Sequence, residues 1–166
     1  DSYDACSEWF QTGKINLLYN NMKQYSWSVH PEIGEMDVFN GKHALEVAPR
    51  ASWIKISNPT TKLLNLYLYY MGTAPTAKYP KINITLIDPI NKTIELEQQI
   101  DPLLVLHMRA ASEYHLVKGS YLGKVAPGEH FLFMKPAEEK ERPFRLTGIA
   151  LTEQGGHTDQ NMEGLF

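Results

Sequence analysis

Recognition of a flat, amphipathic ligand takes aromatic side chains held on one surface with hydrogen-bonding groups at the rim, and this sequence offers two such sets. The first centres on Leu64-Asn65-Leu66-Tyr67-Leu68-Tyr69-Tyr70. Successive side chains of a strand point to opposite sides, so Leu64, Leu66, Leu68 and Tyr70 share one face while Asn65, Tyr67 and Tyr69 share the other. The leucine face must be core. The tyrosine face is either a second buried layer or a surface built to lie against something such as a sugar ring, whose C–H face packs on aromatic π-faces. Trp53, on an expected neighbouring strand with Lys55 on its own side, extends that surface. The second set is Trp27 with Tyr25, in a polar, loop-like stretch near Asn20, Asn21 and His30; loops carry function more often than strands do. The plainer alternative for this set is a hydrophobic plug. The candidate ligand-binding residues are therefore Trp27, Trp53, Tyr67 and Tyr69 for stacking, and Asn65, Lys55 and His30 for polar contacts.

Other chemistries find less support. The six histidines show no i, i+4 helical pair and no H-E-x-x-H, which leaves no zinc motif. There is no G-x-S-x-G elbow, no phosphate-cradling glycine loop and no recognisable Cys–His pair. Glu113 with His115, and His30 with Glu32, are acid–imidazole neighbours, but without a nucleophile or a second carboxylate they make no mechanism. The expectation is a non-catalytic protein.

Size and charge narrow the class further. The chain has 166 residues, enough for one domain with a sizeable core. A net charge of −3 with no clustered Lys and Arg argues against nucleic acid, because neutralising phosphates takes a basic patch. No apolar run approaches the ~18 residues of a membrane-spanning helix. The start at Asp1 suggests a processed or trimmed chain, with any signal peptide out of view. The lone Cys6 cannot close an internal disulfide; it is either a buried free thiol or half of a bridge to another chain. Asn83-Ile84-Thr85 and Asn91-Lys92-Thr93 are N-glycosylation sequons, whereas the proline of Asn58-Pro59-Thr60 excludes a third. Asn83 alternates with Ile82, Ile84 and Leu86 and so faces outward.

The elements that must position these residues are short strands. Ile15 to Tyr19 suits a first strand, and the segment from Asn20 to Gly34 reads as a strand edge running into a long loop. Asn40-Gly41 marks a turn before a strand from His43 to Val47. Trp53 to Ser57 follows, then the tyrosine-bearing strand. Ile82 to Ile87 and Thr93 to Leu96 form a hairpin around Asp88-Pro89-Ile90-Asn91-Lys92. Pro102 to Ala111 is the one stretch that reads as helix or strand alike. Tyr114 to Val117 is short and extended, and Pro127-Gly128 turns the chain into Glu129 to Lys135, where Phe131 and Phe133 share a face. The charged stretch from Ala137 to Pro143 is a solvated loop. Phe144 to Glu153 is the last strand, with Gly148 allowing a bulge. About eight to ten strands punctuated by Pro, Gly and Asn turns, with no βαβ alternation, predict an all-β antiparallel β-sandwich. It occupies residues 1–153 as a single domain, with an irregular segment 1–14 and a flexible tail 154–166.

Four stretches also resemble known domains. Asn40-Gly41-Lys42-His43-Ala44-Leu45-Glu46-Val47 resembles the N-G-K-x-x-L-x-V strand of jelly-roll carbohydrate-binding modules and galactose-binding-like domains, and Trp53-Ile54-Lys55-Ile56 resembles the strand that follows it there. Val125 to Phe133 is similar to their penultimate hairpin, and Phe144 to Glu153 to their closing strand. The resemblance spans residues 38 to 153 and is carried by strands rather than binding motifs. It implies an all-β jelly roll, often with a structural calcium near the chain ends, for which Glu153 and Asp4 are the candidate carboxylates. It implies no particular sugar, since a fold argues function only by analogy. The expectation drawn from both sources is a secreted or cell-surface module that binds carbohydrate through surface aromatics. The alternative is a protein-interaction or assembly ectodomain, with the same aromatics at a protein interface and Cys6 linking chains.

Overall fold

A computed structural model describes residues 8–9, 19–20, 22–28, 41–47, 49, 52–104 and 114–153, with side chains described for 45–47, 49, 52–104 and 117–153. These residues form eleven strands in two antiparallel sheets that stack face to face. The strands are β1 (Glu8–Trp9), β2 (Tyr19–Asn20), β3 (Met22–Ser28), β4 (Gly41–Val47), β5 (Ser52–Asn58), β6 (Leu64–Ala74), β7 (Ile82–Asp88), β8 (Thr93–Ile100), β9 (Tyr114–Val125), β10 (Gly128–Pro136) and β11 (Arg145–Thr152). One sheet runs β3-β4-β11-β6-β9, with β1 also on β11; the other runs β2-β5-β10-β7-β8. The chain changes sheet between β4 and β5 and again at almost every later connection, as a jelly roll requires. Only the β7–β8 turn returns within one sheet after that point, as the expected hairpin. The all-β sandwich read from the sequence is the fold.

The core follows from alternation. Leu64, Leu66, Leu68 and Tyr70 of β6 point inward with Leu146, Ile149 and Leu151 of β11. They meet Ile54 and Ile56 of β5, Ile82, Ile84 and Leu86 of β7, and Leu132 and Met134 of β10. Each such side chain contributes about 1.5–3 kcal/mol by leaving water, so this interior is what holds the two sheets together. Tyr70 is accommodated because its hydroxyl lies 2.7 Å from Ser120 Oγ and its ring packs on Phe144 at 5.5 Å.

Three irregularities correct the alternation where it would fail. The β11–β6 register shifts between Leu146 and Gly148, as the glycine there suggested. On β9 the register shifts beside Leu66 and Tyr67, so Leu122 is the extra residue; it turns into the core, and Gly123 follows with φ 142°. On β8 the extra residue is Glu95, between Ile94 and Leu96. A bulge bends the strand and re-aims a side chain, and Glu95 is thereby turned onto His130 of β10.

Several expectations need correction or fall outside the described residues. Tyr25 and Trp27 do not lie in a loop: β3 pairs with β4 along its whole length, with Tyr25 opposite Ala44 and Trp27 opposite Lys42. Seven ladder positions outweigh a polar composition that reads locally as loop. Pro127-Gly128 is not a hairpin turn but a crossover, since β9 and β10 belong to different sheets; Gly128 takes φ 102° to make it. Within the expected irregular segment 1–14, β1 pairs with β11. The 102–104 segment lies on β6, where Leu103 bridges Thr73 and a Cβ at Gly72 would come within 2.7 Å of the Pro102 carbonyl oxygen. Asp4, Cys6, His30, residues 105–113 and the tail 154–166 lie outside the described residues.

Candidate functional site

The outer face of the five-stranded sheet carries a partly exposed aromatic surface. On β5 the inward set is Ser52, Ile54, Ile56 and Asn58, which leaves Trp53, Lys55 and Ser57 pointing away from the core. On β10 the inward set is His130, Leu132 and Met134, which leaves Phe131 and Phe133 outside. Strand pairing then brings distant residues together. Phe133 stands between Trp53 and Thr85, and Phe131 between Lys55 and Ile87. Trp53 meets Phe131 edge-on, with centroids 5.0 Å apart and planes at 79°, and Phe131 lies 6.4 Å from Phe133. Such edge contacts fix ring orientation and contribute ~0.5–1.5 kcal/mol beyond burial. All three rings are partly exposed. The rim is polar on one side, where Lys55 Nζ sits 2.8 Å from Glu129 Oε1. It is aliphatic on the other, where Ile94 is 59% exposed.

The outer face of the six-stranded sheet is different. Tyr67 and Tyr69 do point away from the core, but they are 4% and 0% exposed. With Met71, Tyr79, Val117 and Ala150 they form a second buried cluster. This corrects their expected place on an open platform: of the two alternatives open to that face, the buried layer is the one realised, most completely at Tyr69. Burial pushes the Tyr69 phenol up to about 12, with Tyr67 adding repulsion. The Tyr79 phenol is also raised by burial, against the opposing pull of Arg145 and Arg142. Toward one end of this face Tyr121 reaches the surface, 5.2 Å from Tyr67, and its hydroxyl donates to Asn65 Oδ1 at 3.2 Å. Asn65 in turn donates to the Glu153 carbonyl at 3.5 Å.

The residues expected to act together are thus divided. Trp53 and Lys55 lie on one outer face, Asn65, Tyr67 and Tyr69 on the opposite one, and Trp27 on β3 of the same sheet as those tyrosines. Consecutive strands β5 and β6 belong to different sheets, so neighbours in sequence look outward in opposite directions. Phe131 and Phe133 take the place beside Trp53 that the tyrosines were expected to fill. Their alternation was visible, but both faces of β10 are apolar, and only its pairing with Lys55 and Thr85 shows which side meets solvent.

Three further features bear on chemistry. His130 is buried; its Nε2 donates to the Ala126 carbonyl at 2.7 Å, and its Nδ1 lies 2.6 Å from Glu95 Oε1. No sequence signal joins these two residues, which lie 35 positions apart and meet through the β8 bulge. Of the two carboxylates considered for calcium, Glu153 lies 3.2 Å from Lys62 Nζ and Asp4 is outside the described residues; among the described residues no three His, Cys, Asp or Glu side chains converge. The charged loop expected to be merely solvated forms one wall of a groove of about 430 Å³, with Val47, Pro49 and Pro80 among its other walls. That groove has mixed charge and no aromatic lining.

No known protein family and no curated protein matches the chain. Solved structures do. A two-domain esterase active on acetylated mannans, co-crystallised with mannopentaose, is 14% identical with a TM-score of 0.52 over 93% of this chain. The likeness is one of fold. This chain spans 38% of that esterase chain. Two carbohydrate-binding modules are similar along nearly their whole length at lower scores. One is CBM6cm-2 of Cellvibrio mixtus lichenase 5A in complex with cellotriose (9% identity, 92% of this chain and 99% of that one, TM-score 0.45). The other is a family 35 module from Clostridium thermocellum (10% identity, 89% and 98%, TM-score 0.42).

Proposed function

We propose that this domain is a non-catalytic carbohydrate-binding module that stacks sugar rings on the outer face of its five-stranded sheet. The observation that supports this reading is the Trp53–Phe131–Phe133 surface, presented on paired strands rather than on loops. Sugar rings expose an apolar C–H face, and aromatic rings held at fixed angles offer it a partner with little conformational entropy to lose. Lys55 and Glu129 stand where hydroxyl groups at the rim can be hydrogen-bonded. A ligand on an open sheet face is held along its length rather than swallowed, which favours oligosaccharides over monosaccharides. A module reading polysaccharide works outside the cell, as a secreted or surface-borne appendage. The structurally similar esterase is active on acetylated mannans, which makes manno-oligosaccharides the first ligands to try.

Titration of mannan, cellulose and xylan oligosaccharides against the purified domain tests this, with Trp53→Ala and Phe133→Ala as variants. Binding lost in both variants, with the fold intact by circular dichroism, is the expected result. A second reading is favoured by Ile94 and Ile87, which give the same face an aliphatic margin suited to a protein partner. No binding across the panel, together with association that grows with protein concentration, would transfer the face to that role.

A further inference from the structure

The sequon Asn83-Ile84-Thr85 lies on the same outer face as the aromatic surface. Asn83 and Thr85 both point away from the core, because Ile82, Ile84 and Leu86 are the inward residues of β7. Thr85 stands directly opposite Phe133, and Asn83 opposite Lys135, one step along β10. Diagonal neighbours across paired strands are about 7–8 Å apart, within reach of one bulky group. Trp53 lies one strand further on, opposite Phe133, so Asn83 and Trp53 are separated by two strand spacings of about 4.8 Å each and by two residues, about 7 Å, along the strands.

The Asn83 carboxamide nitrogen is also available. Gln99 Nε2, from β8, donates to Asn83 Oδ1 at 2.9 Å. That hydrogen bond engages the oxygen and not Nδ2, the atom an N-linked sugar is joined to. Asn83 is exposed, and its Nδ2 has no partner among the described residues. The second sequon contrasts with it. Asn91 sits at the tip of the β7–β8 turn, beyond the aromatic face, with its Nδ2 donating to Asp88 Oδ2 at 3.0 Å.

We infer that Asn83 carries an N-linked glycan whose first sugar rings lie across Phe133 toward Trp53, so that the chain's own glycan occupies its sugar-binding face. The donor is an oligosaccharide on a lipid pyrophosphate. The Nδ2–C1 bond forms as the C1–O bond to pyrophosphate breaks, and Nδ2 loses a proton. The masking of a binding site rests on the carbohydrate reading above; the packing of the glycan on the rings does not.

The experiment is secretion of the protein from a eukaryotic cell line, peptide mapping after enzymatic glycan release, and hydroxyl-radical footprinting of the intact glycoprotein. Asn83→Gln and Thr85→Val each remove the sequon by a different change, and Asn91→Gln is the control. The expected result is a glycan mapped to Asn83 and several-fold slower labelling of Phe133 and Trp53 than in either sequon variant. Asn91→Gln should leave that protection in place. An unmodified Asn83 in protein glycosylated at Asn91, or equal labelling with and without the Asn83 glycan, overturns the inference. Oligosaccharide titration separates the two ideas: binding should be several-fold tighter in Asn83→Gln than in the glycoprotein. If Asn83→Gln binds nothing, the carbohydrate reading fails, and the footprint still decides where the glycan lies.

Discussion

The two outer faces of this sandwich carry aromatic residues at the same two-residue spacing, yet one is interior and the other is surface. On the six-stranded sheet Tyr67, Tyr69 and Met71 are buried in a cluster of their own. On the five-stranded sheet Trp53, Phe131 and Phe133 stay partly open and are bordered by an ion pair. Alternation assigns a residue to a side of its strand and says nothing about what lies beyond that side. A tyrosine with a polar hydroxyl looks the better surface residue, and here it is the phenylalanines that meet solvent.

Substitutions can break this contrast, and the largest effect should come from the buried face. Tyr69→Ala should cost about 3–5 kcal/mol, as loss of a large buried ring does, and show as an early midpoint in chemical denaturation. A loss below 1 kcal/mol would mean that the face is open and that the contrast is false.

Alkaline titration sharpens the same point. An exposed phenol in the unfolded chain ionises near 10, whereas Tyr69 in the fold ionises at about 12. The folded state therefore holds its proton longer. This share of stability is complete below pH 10 and is lost as pH rises from 10 to 12. Denaturation midpoints measured across that window should fall for the parent protein and fall less for Tyr69→Phe.

On the open face the effect is on affinity rather than stability. Trp53→Ala should weaken oligosaccharide binding by about tenfold or more, since central aromatics dominate such contacts at 1.4 kcal/mol per decade. Isothermal titration reads this directly. The smallest effect belongs to Tyr121→Phe, which removes a hydrogen bond at the exposed end of the tyrosine face. It should cost about 0.5 kcal/mol of stability and leave sugar binding unchanged. A binding defect in Tyr121→Phe, with none in Trp53→Ala, would move the site to the opposite sheet.

Much of the architecture was legible locally. The leucine side of β6 had to be core because four large side chains recur every second residue between turns. The Asp88–Lys92 turn and the bulge near Gly148 announced themselves through residues suited to special backbone geometry: Asp88 accepts from the amides of Ile90 and Asn91, and Lys92 adopts φ 53°. The segment around Trp27 misled because its polar composition reads locally as loop, while a whole partner strand supplies its hydrogen bonds. The candidate site was legible only in Trp53 and Lys55. Its other half, Phe131 and Phe133, lies almost eighty residues away, and nothing near either phenylalanine names the partner.

The sequence by itself determined the class of fold, the turns and the side of each strand on which a residue falls, because these depend on interactions within a few residues. The tertiary structure alone decided which strands share a sheet and in what register. It thereby decided which outer face is covered and which aromatics stand together. Pairing is a long-range choice made by the whole core at once. A one-residue slip in it would have turned Phe131 and Phe133 inward and erased the surface that carries the proposed function.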